Sequence, residues 1–460
     1  MGLAHYLFII YLSMAAVHDM TTGSPVRHIL TFAIPLICGY VLQQMYHVVD
    51  SAIVGQFLGV NELAAVGASS SILFLILGFC NGACAGFAIP VAQSFGAKDY
   101  RLMRRYAANA VYISLLITVV LTIITTLYCR QILKWVSTPE EIMDDAYTFL
   151  LIVFLTIPFI VGYNLLAGFI RALGNSTVPF YILILSSIFN AVLAYVLIAL
   201  VGMGVEGSSL ATMASQLLSV VGCAEYIRRK MPMLIPRVGE RKIDSSLISD
   251  LSWQGFPMGL QFSITAIGSI MLQSANNALG TVCVAAFTAS MRIKYLFTTV
   301  FENLGVAMAT YCGQNLGARK LERISSGIRS AFFMMMAYFL FTVVIIQMLS
   351  EPMIMFFVDP SETQIISHGA LFLHIACYFY PALGTLTILR YSIQGLGYSK
   401  IAIFSGVSEM FARAGVSIFL VPAFGFLGVC WGDPVAWVCA DLFLIPAYYL
   451  IFRRLKGMEN

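Results

Sequence analysis

The chain reads as a succession of long apolar runs separated by short polar interruptions. A helix rising ~1.5 Å per residue needs about 20 predominantly apolar residues to cross a bilayer. Twelve such windows are predicted, at 29–57, 63–90, 106–128, 142–170, 176–200, 206–227, 251–278, 283–311, 328–349, 364–389, 401–421 and 427–452. Several are longer than the roughly 17–25 residues of an ordinary span, so they should tilt or project beyond the hydrocarbon. Residues 1–19 form a run too short to span, with neither a basic leader region nor a small-residue cleavage site. They are read as a non-native extension ahead of a start at Met20, or alternatively as an interfacial helix.

Composition agrees with the pattern. Hydrophobic residues make up 60% and charged residues 10% of the chain, whereas soluble domains are about 25% charged. The ten cysteines lie mostly inside apolar stretches without zinc-ligand spacing, so they are read as packing residues and no metal or cofactor is expected. The net charge of +4 says little, but the positions of the basic residues say more. They cluster at Arg27, Lys98–Arg105, Arg171, Arg228–Lys242, Arg319–Arg329, Arg390, Lys400 and Arg453–Lys456, on alternate loops, while the intervening loops hold only Arg130 and Lys134. By the excess of Lys and Arg on cytoplasmic loops, both termini are predicted to be cytoplasmic in a multi-pass protein of the cell membrane. Arg292, Lys294 and Arg413 fall inside predicted spans and require partners.

The two halves of the chain match each other. A shift of 221 aligns Ser69 with Ser290 and Gln93-Ser-Phe-Gly96-Ala97-Lys98 with Gln314-Asn-Leu-Gly317-Ala318-Arg319. Shifts of 222 and 223 align Pro35 with Pro257 and Leu173-Gly174 with Leu396-Gly397, and at 221 again Gly204 and Gly207 meet Gly425 and Gly428. Six spans per half is an even number, so both halves keep the same orientation, which is a parallel repeat of the kind found in transporters. The predicted fold is an all-α integral membrane protein: twelve transmembrane helices in two six-helix lobes related by a parallel internal repeat. The predicted lobes are 20–227 and 249–460, joined by a basic cytoplasmic linker at 228–248.

Ionisable residues inside spans are the candidate chemistry. Asp50 sits within the first span, where a charged carboxylate costs about 2.5–3.5 kcal/mol on insertion scales and usually marks an ion or substrate path. Gln43, His47 and Asp50 share one helical face, which allows a His–Asp relay, a lone polar contact for His47, or burial of Asp50 against a neighbouring helix. Thr265, Ser269 and Gln273 form a second stripe; Thr265 and Ser269 are the repeat partners of Gln43 and His47, and Asp50 pairs with Leu272. Tyr163 and Asn164 are candidates for lining a cavity. Glu409 and Arg413 stand four apart in the favourable order for a helical ion pair, read as structural or, alternatively, as a protonation-gated element. Arg292 and Lys294 either favour an anionic substrate or snorkel to an interface, and Glu302 lies too far along the same helix to pair with them within one turn. No ordered catalytic motif and no soluble domain is present, so neither an enzyme nor a nucleic-acid partner is expected.

Several of these elements occur together in one known family. Gly23-Ser-Pro, FAIPL, the run Gln43-Gln-x-Tyr46-x-x-x-Asp50-x-x-Ile53-Val-Gly55, the paired QSFGAK and QNLGAR loops, and RALGNSTVP at 171–179 resemble the bacterial multidrug and toxic compound extrusion (MATE) transporters. The resemblance covers essentially everything from Met20 onward. It implies two six-helix lobes around a V-shaped cleft, acting as a monomer that exports organic cations or other drugs in exchange for Na⁺ or H⁺. It also implies a coupling-ion role for Asp50, with Asn190 and Thr212 as its companions. A second aspartate of that site is replaced by Ala194, and a seventh-helix carboxylate of another branch by Thr265. Ion coupling is therefore expected in the N-terminal half. An exporter or flippase of an endogenous metabolite or lipid-linked sugar is the alternative.

Overall fold

The computed structural model describes residues 17–136 and 138–459, and no strand occurs among them. Residues 1–16 of the predicted extension lie outside the described residues. Of what remains, His18 donates its backbone N–H to Leu173 O at 3.0 Å. The spanning helices are α1 (Pro25–Phe57), α2 (Val60–Gly96), α3 (Tyr100–Leu127), α4 (Met143–Ala172), α5 (Thr177–Tyr195), α6 (Val205–Lys230), α7 (Ser245–Asn277), α8 (Thr281–Gly317) and α9 (Leu321–Met355). They continue as α10, made of Thr363–Tyr378 and Tyr380–Gly395, then α11 (Ser399–Gly415) and α12 (Gly432–Glu459).

Ten described helices are long and apolar enough to cross a membrane, and the two pieces of α10 add an eleventh. Helix α8 completes the predicted twelve; Arg292, Lys294 and Glu302 lie within it and lower its apolar character. The predicted continuous span at 364–389 is instead bent by 51° between its two pieces. Pro381 opens the second piece, where a residue without an N–H and with fixed φ starts a helix but cannot continue one. Two further irregularities follow α5 and α11, at Val196–Leu200 and Val416–Leu420, where the helix widens into a π turn. Such turns insert one extra residue, often near functional sites.

The internal repeat extends to backbone detail. Helix α2 ends with Lys98 at φ 59° and α8 with Arg319 at φ 56°, a left-handed conformation unusual for side chains of this size. At both ends the same bonds close the helix: Lys98 N–H to Phe95 O at 2.9 Å and Asp99 N–H to Ser94 O at 3.0 Å, against Arg319 N–H to Leu316 O and Lys320 N–H to Asn315 O, each 2.9 Å. Gly174 and Gly397 close α4 and α10 at φ 85° and 89°.

The residues Ile34–Gly255 form one compact unit, and Met20–Ala33 with Phe256 onward form the other. In the first unit α4 is central, packed along α2 and α6, with Phe87, Phe154, Cys84 and Tyr226 in its core. In the second unit the latter half of α10 takes the same place, against α8 and α12. Gly305 admits Tyr391 there: a Cβ on this glycine would lie 2.4 Å from the ring.

Two boundaries differ from the sequence expectation. Residues 20–33, expected in the N-terminal lobe, belong to the second unit. Gln314 Oε1 accepts from Met20 N–H at 2.9 Å, and Arg323 donates to Met20 O and Gly23 O, both at 3.0 Å. The 228–248 segment, expected as a linker between the lobes, belongs to the first unit, where polar groups on α3 hold it. Arg104 grips both carboxylate oxygens of Glu240, at 2.6 and 2.7 Å, Arg105 pairs with Asp244, and Tyr112 donates to Arg241 O at 2.9 Å.

Candidate functional site

In the first unit, α1 and α6 face each other through two polar rungs. Ser208 Oγ lies 3.0 Å from each oxygen of the Asp50 carboxylate. One turn away, Tyr46 OH and Thr212 Oγ1 are 3.0 Å apart. Tyr46 precedes Asp50 by four residues and Thr212 follows Ser208 by four, so the two helices run antiparallel with side chains stacked one turn apart. Helix α5 joins through Asn190, whose Nδ2 donates to Thr212 Oγ1 at 3.3 Å and Ser215 Oγ at 3.4 Å. Asn190 Oδ1 is buried without a partner among the described residues, and Asp50 itself is half-buried. The arrangement is one carboxylate among hydroxyl and amide oxygens, with no basic side chain bonded to it among the described residues. Such a set suits a proton or a small hard cation.

The second unit holds charges of both signs. Lys294 on α8 pairs with Asp433 on α12. Arg413 on α11 donates to Asp433 at 3.0 Å and lies 3.4 Å from Glu409. Arg390 on α10 donates to Glu409 at 2.8 Å and lies 3.8 Å from Glu302. Lys294, Arg390, Glu409, Arg413 and Asp433 are all buried. Buried charges are tolerated when mutually neutralised, and removing one partner of such a group is costly.

These geometries agree with what the chain is similar to. The MatE family model matches it twice, at residues 35–196 and 257–419. The chain belongs to the MATE family of transporters. It is 27% identical over 441 residues to the probable multidrug resistance protein YoeA of Bacillus subtilis (strain 168), covering 93% of this chain and 94% of that protein. It is also 28% identical over 382 residues to YpnP of the same organism, a probable multidrug resistance protein, covering 83% and 84% of the two chains. Among solved structures, a MATE protein in complex with MaL6 superposes with a TM-score of 0.89 at 21% identity, over 95% of this chain and 99% of that one. At that identity the likeness concerns the fold: the twelve-helix, two-lobe MATE architecture.

Within this MATE chain, the expected trio of Asp50, Asn190 and Thr212 occupies neighbouring positions, with Asn190 and Thr212 bonded directly and Asp50 one turn along. Ala194 is fully buried. Gln43 and His47 are exposed, and neither hydrogen-bonds Asp50 among the described residues; the His47 ring lies 5.0 Å from the Tyr46 ring. The α1 side chains bonded to α6 are thus Tyr46 and Asp50. Asn164 bonds back to Ile160 O at 2.8 Å within α4, and Tyr163 OH lies 3.5 Å from Pro179 O. Thr265 and Ser269 are half-buried and Gln273 is exposed, with Ser269 bonding back to Thr265 O at 3.2 Å.

The expected Glu409–Arg413 ion pair is present in the second unit, while the expectations for Lys294 and Arg390 change. Glu409 and Arg413 do approach, but each has a shorter bond elsewhere, to Arg390 and Asp433. Lys294 neither snorkels nor waits for an anion, being committed to Asp433, whereas Arg292 is exposed. Glu302 finds its cation on α10 rather than on its own helix. Arg390, counted with the loop charges, is 5% exposed inside α10, and Arg171 lies in the last turn of α4. Tyr46, Ser208, Ser215, Asp433 and Asp441 were not singled out as site residues. The first three had a signal, each lying three or four residues from an expected site residue on the same helix.

Proposed function

We propose that the protein is a secondary active multidrug exporter that expels organic cations or other drugs in exchange for H⁺ or Na⁺ by alternating access. Its setting is the cell membrane, with both termini cytoplasmic, and it works as a monomer. The observation that carries this reading is the Asp50 carboxylate, bonded among the described residues only to the Ser208 hydroxyl, with the Asn190 carbonyl, also without a partner among them, one turn away on the α5 side. A site of this kind holds one small cation and releases it when its oxygens move apart, which is what exchange against a gradient requires. The names of the relatives, multidrug resistance and multidrug export proteins of Bacillus, Staphylococcus and Thermotoga, support the substrate class.

Lys294 and Arg413, which would favour an anionic metabolite or lipid-linked sugar if free, are instead paired with acids, Lys294 with Asp433 and Arg413 with Asp433 and Glu409. Of the three basic residues on which this alternative rested, Arg292 alone is exposed. The test is efflux of a fluorescent cationic dye from proteoliposomes under a pH gradient and a Na⁺ gradient imposed separately, with Asp50→Asn in parallel. Export driven by one gradient and lost in the variant is expected, and it names the ion. Export that is unchanged in Asp50→Asn removes Asp50 from the coupling, and no export under either gradient overturns the drug-exporter reading.

A further inference from the structure

The charge cluster of the second unit does not balance. Its basic members among the described residues are Lys294, Arg390 and Arg413, and its acidic members are Glu302, Glu409, Asp433 and Asp441. Three of the four carboxylates have a basic partner within ion-pair distance. Asp441, on α12 two turns after Asp433, has none. It is 8% exposed, its Oδ1 is buried without a hydrogen-bond partner, and it makes no ion pair among the described residues. We propose that Asp441 is a proton-binding site of the second unit, the carboxyl that takes up the charge left over when the other members of the cluster neutralise one another.

The surroundings explain why a proton, and why here. A buried carboxylate with neither an ion-pair partner nor a hydrogen-bond donor is held neutral more readily than ionised. The charged groups that act on Asp441 are Arg390 from α10 and Glu409 from α11, and both are engaged: Glu409 receives Arg390 at 2.8 Å. Further along α11, Arg413 is turned to Asp433, and Lys400 at its start is exposed. In the first piece of α10, His368 stacks on Phe426 with ring centroids 4.8 Å apart, and His374 Nε2 is bonded to Ser350 Oγ at 2.9 Å. Tyr380 packs its ring against Phe301 and Trp437. Tyr391 lies against Glu302.

Glu302 is the rival for the surplus proton. It is the better solvated of the two, with 41% of its side chain exposed, and it has Arg390 at 3.8 Å. Asp441 has neither advantage, so the proton belongs to it. Because the Arg390–Glu409 pair couples Asp441 to the remainder of the cluster, a rearrangement among α10, α11 and α12 that brought Arg390 to Asp441 would expel the proton. The second unit thereby has an exchangeable proton of its own, separate from the cation site at Asp50.

The test reads the proton directly and involves no transport, so it stands or falls separately from the proposed function. Infrared difference spectra of the full-length protein in lipid, recorded between mildly acidic and alkaline pH and in H₂O and D₂O, report protonated carboxyls. A protonated-carboxyl band is expected that survives in Asp50→Asn and Glu302→Gln, disappears in Asp441→Asn, and persists at a displaced frequency in Asp441→Glu. Asp441→Asn is nearly isosteric with the protonated acid and should fold with the wild-type thermal midpoint at neutral pH. A band unaffected by Asp441→Asn, or one that follows Glu302→Gln, overturns the proposal. Failure of Asp441→Asn to fold while Asp441→Glu folds also overturns it, because the cluster would then need the negative charge.

Discussion

Arg413 donates through Nε to Asp433 Oδ1 at 3.0 Å, and the internal repeat relates these two positions to Asn190 and Thr212, which are themselves joined at 3.3 Å. The corresponding contact between the fifth and sixth helices of each half is thus a neutral polar pair in the first unit and an ion pair in the second. The difference has a consequence for cation binding. In the first unit the pair leaves amide and hydroxyl oxygens beside a carboxylate on α1, whereas in the second a guanidinium occupies the corresponding place and the α1 carboxylate is replaced by Leu272.

Asp433 therefore serves folding. It receives both Lys294 and Arg413, so Asp433→Asn leaves two buried cations sharing a neutral amide. Breaking a buried pair by removing one partner costs about 3–5 kcal/mol. The expected result is a strongly lowered thermal midpoint of the detergent-purified protein and a small folded yield. Glu409→Gln should behave alike, losing folded protein more than transport per folded molecule. Normal yield with lost transport would instead make Glu409 part of the transport cycle.

Ser208→Ala tests the rung at Asp50. Ser208 is buried and bonded to the carboxylate, and a hydrogen bond to a charged group contributes about 1.5–3 kcal/mol. Gradient-driven efflux is expected to fall by about tenfold or more, the rate equivalent of ~1.4 kcal/mol, while insertion is unaffected. Tyr46→Phe, which removes only the neighbouring neutral bond to Thr212, should cost less. Equal losses in the two variants would mean that the rungs act as one packing unit and that the carboxylate contact has no special weight.

The segment between α6 and α7 supplies a pH dependence outside the membrane. The Arg104 guanidinium, helped by the Arg237 backbone N–H, holds the Glu240 carboxyl at about 2, below its ordinary 4.5. A depressed carboxylate stabilises the folded arrangement fully above its unfolded value and loses that contribution as the pH falls through the folded one. Protection of residues 231–244 from limited proteolysis should accordingly be constant above about pH 4.5 and be lost towards about pH 2. Arg104→Ala should remove it already at neutral pH. Persistent protection in that variant would show that Tyr112 and Asn109, whose Oδ1 accepts from Asp244 N–H at 2.9 Å, suffice to hold the segment.

Most of the helix pattern was legible because a spanning helix must be apolar for about 20 residues whatever it packs against. Its limits were less so: α2 runs on to Gly96 and α8 to Gly317, past the apolar windows, because Gln93 and Gln314 sit where the hydrocarbon requirement has ended. The repeat was visible in QSFGAK and QNLGAR since a left-handed helix end constrains its neighbours. What escaped was long-range pairing. Lys294 and Asp433 are 139 residues apart, and helical periodicity relates only residues three or four apart, so Glu409 and Arg413 drew notice while their shorter bonds to Arg390 and Asp433 did not. The π turns at 196–200 and 416–420 have no compositional mark, and Ser208, though one turn before Thr212, could not be tied to Asp50, 158 residues away, from the sequence.

Two glycines in the second unit separate close packing from helix propensity. A Cβ on Gly395, at the end of α10, would lie 2.3 Å from Ala309 O on α8. That neighbour is backbone and cannot swing aside, so Gly395→Ala must push α8 and α10 apart and should cost at least the 1–3 kcal/mol typical of overpacking. Gly415, at the end of α11, has nothing within 4 Å of a built Cβ and lies at an ordinary helical φ of −59°. There the alanine only reduces backbone freedom in the unfolded chain, and Gly415→Ala is expected to leave stability unchanged or raise it by roughly 0.5–1 kcal/mol. Thermal unfolding of both variants in the same detergent checks the contrast. If Gly415→Ala proves the more damaging, the π turn that follows at Val416–Leu420 depends on the glycine before it, and the contact between α8 and α10 has more give than the 2.3 Å approach implies.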